Sequence, residues 1–314
     1  MSTLTQIFPP LHGLFISTIH NFPMRCDLHV HSTASGMCDT PGLTRLCRES
    51  YNHPARVYER CKHLGMSLVT LTDHDSIDAA EQLRRHPDFF LSEEVTCRMP
   101  TGTEIHLGVY NITEHDHLEI QQRRTDFLAL VVYLTERKLL FSVNHVFSGL
   151  TGVRHADDFR WFASYVPAFE TRNGQMHPEA NARAARLATT LRRIALAGSD
   201  SHTIAGLART FTEVPGARSV DEFFAGLRSG SGRIQGAHGS CAKLTADVFR
   251  ITAAMFCENP ATLALLPLSV FVPFACAGHW LNEIRFFRKW SAYLGRGEAK
   301  PRMLWDIDPH FESV

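Results

Sequence analysis

The chain has 314 residues with 32 basic and 32 acidic side chains, so its formal net charge is zero. This length suits one large α/β domain or a domain with an extension, and the balanced charge gives no support for nucleic acid as the main partner. Eight cysteines without a C-x-x-C spacing, and a start that lacks a signal-peptide pattern, predict free thiols in a cytoplasmic protein.

The first informative stretch is a strand predicted at 25–31, which follows an irregular lead-in at 1–24. His29 and His31 occupy alternate positions of this strand, and alternate side chains of a strand point to the same face. Two adjacent imidazoles are half of a metal site, although the same pattern also occurs on strands where histidines have ordinary hydrogen-bond partners.

The rest of the first 230 residues alternates between predicted strands and predicted helices. Apolar runs predict strands at 66–72, 89–96, 104–110, 140–146, 166–170, 194–199 and 209–214. Helical patterns follow at 54–64, 115–138 and 178–193. Such alternation is typical of a parallel α/β barrel or a doubly wound sheet, and both architectures gather reactive groups at the carboxyl ends of their strands.

Imidazoles and carboxylates recur at or near those strand ends. The set comprises His29, His31, Asp39, His74, Glu94, His106, His145, Asp200 and His202. It exceeds the three protein ligands of a catalytic zinc ion and suits two or three divalent ions. Nitrogen and oxygen donors without thiolate favour Zn, Mn or Fe. Because such a cluster activates water and neutralises phosphoryl oxygens, it indicates phosphate ester hydrolysis.

Five motifs occur in order: DLHVHS, TDHD, SEEVT with EIHLGVY, NHV and GSDSH. Together they resemble the polymerase and histidinol phosphatase (PHP) family of metal-dependent phosphoesterases over residues 25–230. The resemblance implies a distorted (β/α)7 TIM-like barrel at 25–239. Residues 240–314 would then form a helical C-terminal appendage.

The resemblance also implies how the ligands divide among the ions. One ion, at the catalytic centre, would be held by His29, His31, Glu94 and Asp200. A second would be held by Glu94, His106 and His145. A third would be held by Asp39, His74 and His202. Asp39 stands later than this acid often does in related sequences, because residues 36–38 lengthen the loop; if Asp39 does not reach, the centre is binuclear.

Other polar residues near the strand ends have two interpretations. Glu170 and Asn173 could orient ligands or contact the substrate, or could be structural. Arg154 and Arg172 could bind the substrate phosphate, because a guanidinium matches its oxygens in pairs. The alternative for both arginines is a solvated surface position.

The segment 261–281 is nearly free of charge and is followed by RFFRKW. Its length approaches that of a membrane span, with basic and aromatic residues at one end. Pro267, Pro273 and His279 argue against a span. We therefore expect a helical hairpin packed on the barrel, with peripheral membrane association of 261–290 as the alternative.

The leading functional prediction is a phosphomonoesterase acting on a nucleotide or small phosphorylated metabolite, with a metal-held hydroxide as nucleophile. The first alternative is a phosphodiesterase or exonuclease on short nucleic acid, which needs a basic or aromatic groove. The second is a non-catalytic, metal-stabilised binding module, which the intact ligand set argues against. The sequence leaves the oligomeric state open.

Overall fold

A computed structural model describes residues 22–295, so most of the lead-in at 1–24 and the end of the extension at 296–314 lie outside it. The strands within this range are β1 (Met24–Cys26), β2 (Ser92–Arg98), β3 (Glu104–Tyr110), β4 (Leu140–Val143), β5 (Ala168–Asn173), β6 (Ile194–Gly198), β7 (Thr210–Val214) and β8 (Arg233–Gly236). The α-helices are α1 (Pro54–His63), α2 (Glu114–Arg123), α3 (Phe127–Glu136), α4 (Asp158–Tyr165), α5 (Pro178–Leu191), α6 (Val220–Arg228), α7 (Cys241–Glu258) and α8 (Val272–Gly295). Short 3-10 helices occur at Thr33–Ser35 and Asp78–Gln82, and a longer one at Pro260–Phe271.

The strands form two sheets. The larger has the order β2-β3-β4-β5-β6, and the smaller has the order β1-β7-β8. Only the pairs β4-β5 and β5-β6 are parallel, and all other pairs are antiparallel. A mixed α/β fold is therefore confirmed, and the alternation of strand and helix produces parallel pairs of regular strands only where α4 and α5 connect them.

Irregular extended segments connect the two sheets. The predicted strand 25–31 ends at Cys26, and beyond it Val30 makes a single parallel bridge with Ser201. The Val30 amide donates to the Thr72 hydroxyl at 2.9 Å, so a side chain takes the place of a regular ladder bond there. The predicted strand 66–72 is reduced to one bridge, between Val69 and Phe89. Among the described residues, regular strands consequently do not close a seven-stranded barrel.

The helix predicted at 115–138 is two helices. Thr113 begins α2 with a capping box in which its side chain and that of Asp116 each accept a backbone N–H. Asp126 begins α3, where its carboxylate accepts the amides of Leu128 and Ala129. A carboxylate that satisfies two free N–H groups favours a new helix start over continuation of the first helix.

The main hydrophobic core lies around the larger sheet and includes side chains from both halves of the chain. Phe127, Phe162 and Phe169 are fully buried in it. Phe287 and Trp290 of α8 belong to the same cluster, with exposures of 0% and 6%. Burying one such side chain stabilises the fold by roughly 1.5–3 kcal/mol. The second half of α8 is thus part of the domain core.

The apolar segment before α8 is exposed instead. Within the described residues, Pro260–Ala292 is the one helical stretch long and apolar enough to cross a membrane, with a mean hydropathy of 1.9 and 11% of its most apolar window buried. Phe271 and Phe274 are 61% and 74% exposed. Of the predicted buried or interfacial hairpin, this half is therefore not the buried form. Pro267 and Pro273 lack the N–H that a continuous α-helix needs, and 260–271 takes a 3-10 form.

Candidate metal centre

His29 and His31 project together from the extended segment after β1. Their Nε2 atoms lie 3.0 Å apart, and both rings are buried. His29 Nδ1 lies 2.9 Å from Glu170 Oε1, which fixes the ring and leaves Nε2 directed at the centre. This pairing of an imidazole with a carboxylate on its outer nitrogen is typical of metal-ligating histidines.

Glu94 on β2 is the carboxylate around which the imidazoles are arranged. Its Oε2 lies 3.1 Å from His29 Nε2, and its Oε1 lies 3.2 Å from His145 Nε2. The imidazoles of His31, His74 and His106 lie 3.3 to 3.5 Å from the same two oxygens. Burial alone would raise the pKa of Glu94, but the surrounding histidines, His29 foremost, outweigh it and hold the pKa well below the usual range. The lowered pKa favours the ionised carboxylate, and Glu94 could serve as a ligand to ions held on either side of it.

Asp200 reaches the centre from the end of β6. Its Oδ1 lies 3.4 Å from His31 Nε2 and 3.6 Å from His29 Nε2. A Cβ at Gly198 would lie 2.5 Å from the His29 amide nitrogen, so only glycine lets β6 approach this segment. Burial raises the pKa of Asp200, but the neighbouring imidazoles, led by His29, hold the pKa well below its ordinary value.

The third acid of the centre is Glu49. Its Oε1 lies 3.2 Å from His74 Nε2 and 3.4 Å from His202 Nε2. Burial acts to raise its pKa, but hydrogen bonds from His202 and His74 lower the pKa overall. Asp39 is exposed at the edge of the cavity and makes none of these contacts. The structure thus places Glu49, and not Asp39, beside the two imidazoles of the predicted third site.

The path of the loop explains this exchange. Met37 and Arg48 form an antiparallel bridge, and the Glu49 amide donates to the Gly36 carbonyl at 3.1 Å. The chain thus folds back on itself, with Asp39 towards the turn and Glu49 at the base. No apolar period marks such a loop, so sequence spacing alone favoured the nearer acid.

Further side chains orient the ligands. Glu170 also accepts the His145 amide and the Asn173 side-chain amide, both at 2.9 Å. The Asn173 amide reaches Asp200 Oδ2 at 2.9 Å as well. Of the two interpretations of Glu170 and Asn173, the structure supports orientation of ligands. These hydrogen bonds hold the side chains of His29 and Asp200 in position.

Two hydrogen-bonded side chains that were not predicted, Ser35 and Asp73, position the His31 ring. Ser35 donates to Asp73 at 2.7 Å and lies 3.0 Å from His31 Nδ1. The Ser35 oxygen can thus accept the His31 ring proton while its own proton goes to Asp73. Asp73 also accepts the amide and hydroxyl of Ser32. This arrangement favours the tautomer in which His31 Nε2 carries no proton and could bind a metal ion.

These donors suit divalent metal ions. Groups of three lie with their ligand atoms within 4.8 Å of one another and together contain His29, His31, His74, Glu94, His106, His145, Asp200 and His202. His106 Nδ1 is buried without a hydrogen-bond partner. Burial lowers the pKa of His106, which favours the neutral imidazole that a metal binds. Eight of the nine predicted ligands therefore meet in one place.

A sequence profile described as PHP-associated (PHP_C) matches residues 178–231, which carry the GSDSH motif with Asp200 and His202. Over these residues the match agrees with the resemblance to the PHP family. The match and the cluster of imidazoles and carboxylates support the predicted class of metal-dependent phosphoesterase. No curated protein matches the sequence.

Solved structures support the fold. The crystal structure of PsfC from Pseudomonas syringae PB-5123 superposes with a TM-score of 0.53 at 18% identity, covering 74% of this chain and 99% of PsfC. A proposed metal-dependent phosphoesterase from Bifidobacterium adolescentis has a TM-score of 0.41 at 13% identity, covering 64% of this chain and 95% of its own. The lesion-specific endonuclease PfuEndoQ from Pyrococcus furiosus has a TM-score of 0.47 at 16% identity, covering 68% of this chain and 57% of its own. PsfC thus shares the fold, and the other two likenesses are more distant.

The metal centre lies in a cavity of about 820 Å³. The described residues that line it include no Lys or Arg. Arg154 is buried elsewhere, with its guanidinium 5.7 Å from the centre of the Phe162 ring, and Arg172 donates to the Gly236 carbonyl. Neither arginine lines the cavity.

We expect Glu49→Gln to weaken metal binding by roughly tenfold or more, since the amide cannot supply the charge that His74 and His202 face. Activity should fall in parallel. Metal content after gel filtration, measured by mass spectrometry, checks this result. Asp39→Asn is the matched control, and equal losses in the two variants would contradict the assignment of Glu49.

Proposed function

We propose that this protein hydrolyses phosphate monoesters of small molecules at a centre of two or three divalent ions. The main support for this proposal is the charge of the side chains that line the cavity. Acidic side chains line it, and no lysine or arginine occurs among the lining residues that the structure describes. A nucleic-acid strand binds through several phosphates and needs basic side chains along its path. A single phosphoryl group needs only the ions.

The ions would lower the pKa of a bound water and neutralise the oxygens of the phosphoryl group. The protein supplies the arrangement. Glu94 faces both halves of the cluster, and Glu170 and the Ser35–Asp73 pair fix the two central imidazoles. Glu49 with His74 and His202 completes a donor set for a third ion. Nitrogen and oxygen donors favour Zn, Mn or Fe.

The eight cysteines fit a reducing compartment. All are free, and Cys26, Cys47, Cys61, Cys97 and Cys276 are buried. Disulfides form in oxidising compartments, and buried thiols behave as small apolar side chains. We therefore place the enzyme in the cytoplasm.

Phosphate release by the manganese-loaded protein should be faster from nitrophenyl phosphate than from bis-nitrophenyl phosphate. The two substrates share a leaving group, so the ratio of kcat/KM values reports on the ester class. Preference for the diester would contradict the monoesterase and favour the exonuclease alternative. Full metal loading without hydrolysis of either would indicate a binding module.

A further inference from the structure

The cavity continues beyond the metal centre to an apolar wall formed chiefly by α7 and α8. Its main members are Met176, Leu244, Val248, Ile251 and Trp280. The wall comes mainly from the extension after Gly239, so it is separate from the sequence motifs that carry the ligands. A phosphoryl group occupies only a small part of 820 Å³.

We propose that this wall binds the ester group of the substrate and that this group is apolar, an alkyl or aromatic alcohol. The inference rests on the proposed monoesterase activity. A sugar or nucleoside has several hydroxyls that would lose water against these side chains, and burying an unpaired hydroxyl is unfavourable. An alkyl chain or aryl ring instead gains the free energy of transfer from water.

Both helices are fixed to the loops that carry metal ligands. Glu283 on α8 accepts the Gly149 amide at 3.1 Å, four residues after His145. Asp247 on α7 accepts the Thr203 hydroxyl at 2.9 Å, next to His202. The wall thus keeps a constant position relative to the ions, as a specificity surface must.

Trp280 is the wall residue with the best-defined support. The His177 ring lies 5.5 Å from it and 5.1 Å from Phe287, which is fully buried. Burial lowers the pKa of His177, so the ring between the two aromatic groups is neutral. The indole is half-buried and has room to contact a ligand.

The test is a series of ethyl, butyl and hexyl phosphates with glycerol phosphate as the polar member. The alkyl alcohols are similar leaving groups, so differences report on binding. We expect kcat/KM to rise by up to roughly fourfold per methylene. Trp280→Ala should reduce this slope through KM, and Trp280→Phe should restore part of it. Phe249→Ala is the control, since Phe249 is an exposed aromatic residue on α7 outside the lining.

A wild-type series without dependence on chain length would overturn the apolar wall while leaving the phosphatase intact. Calorimetry with the matching alkylphosphonates separates the two ideas, because these compounds bind without hydrolysis. Affinity that rises with chain length in a protein that hydrolyses no monoester would contradict the activity and support the wall.

A second surface carries an independent inference. The apolar ridge, defined as 260–281, exposes Leu263, Leu266, Leu268, Val270, Phe271 and Phe274 by 51% to 74%. No charged residue occurs from 260 to 282, and exposed Arg285, Arg288 and Lys289 follow on α8. Contiguous exposed apolar surface on a soluble domain marks an interaction site.

We infer that the ridge docks on an anionic lipid surface. Apolar side chains beside exposed cations are the combination that enters the headgroup region of acidic membranes. A second copy of the chain would instead place the same cations opposite one another. The burial of Phe287 and Trp290 in the core keeps the end of α8 on the domain, so docking in the interface needs no rearrangement.

Flotation with vesicles of phosphatidylcholine, with and without phosphatidylserine, tests this inference. We expect binding to the anionic vesicles, lost in a Phe271→Ser, Phe274→Ser double variant. Leu118→Ser, at another exposed apolar position, is the control. Absence of binding to both vesicle types would overturn the inference, as would a dimer in gel filtration that the double variant abolishes.

Discussion

Glu94→Gln should lower kcat/KM for nitrophenyl phosphate by roughly a thousandfold, which corresponds to about 4 kcal/mol. The reason is the position of Glu94, whose two oxygens face imidazoles on both sides of the cluster. An amide has the same shape but supplies no negative charge, so ions on either side lose their shared ligand. Steady-state kinetics combined with metal analysis by mass spectrometry measures both effects.

Glu93→Gln is the matched control. Glu93 precedes Glu94 on β2 but points to the other face, where it accepts from the Gln121 amide and pairs with His117. Both residues are buried, so the variants make the same chemical change in similar solvation. Activity lost equally in both variants would show that the defect lies in folding and would contradict the assignment of Glu94.

Chelation should lower the midpoint of thermal unfolding by about 5–10 °C. Ions that bind only the folded chain at 100 times their Kd contribute about 2.7 kcal/mol, and each kcal/mol shifts the midpoint by about 2–4 °C at this size. Five of the eight donor residues are buried and three are half-buried, and the ligand atoms of each group of three lie within 4.8 Å of one another. The metal-free centre therefore keeps the desolvation cost of these side chains without the bonds to the ions.

Scanning calorimetry before and after chelation, with reloading by manganese, measures the shift and its reversibility. Asp200→Asn should show a smaller shift on chelation, because it binds less metal from the start. An unchanged midpoint in a sample proved metal-free would contradict the structural role of the ions.

The ligands that lie at or near the ends of predicted strands could be predicted from the sequence. The shared direction of His29 and His31 follows from the two-residue period of a strand. That period still applies because the segment is extended, although its hydrogen-bond ladder is irregular. Glu49 could not be predicted, since backbone contacts in the loop determine its position. The barrel was expected to be more regular, because apolar runs do not reveal where a side chain such as Thr72 replaces a ladder bond.

Hydropathy also failed to separate two parts of one helical region. Phe287 and Phe274 both lie on α8, yet the first is buried in the core and the second is 74% exposed. Composition measures how favourable burial is, but contact with the rest of the fold determines whether burial occurs. The C-terminal extension therefore had to be seen in three dimensions before its contribution to the cavity could be recognised.

The acidic lining of the cavity also has a kinetic consequence. Without ions, a doubly charged phosphate ester meets carboxylates such as Glu94 and Asp200, and the described lining offers imidazoles but no lysine or arginine to offset the repulsion. We therefore expect the reactants to add in order, with the ions first and the ester second. A chelator should inactivate the free enzyme faster than the enzyme saturated with substrate, because an occupied phosphate site retains the ions.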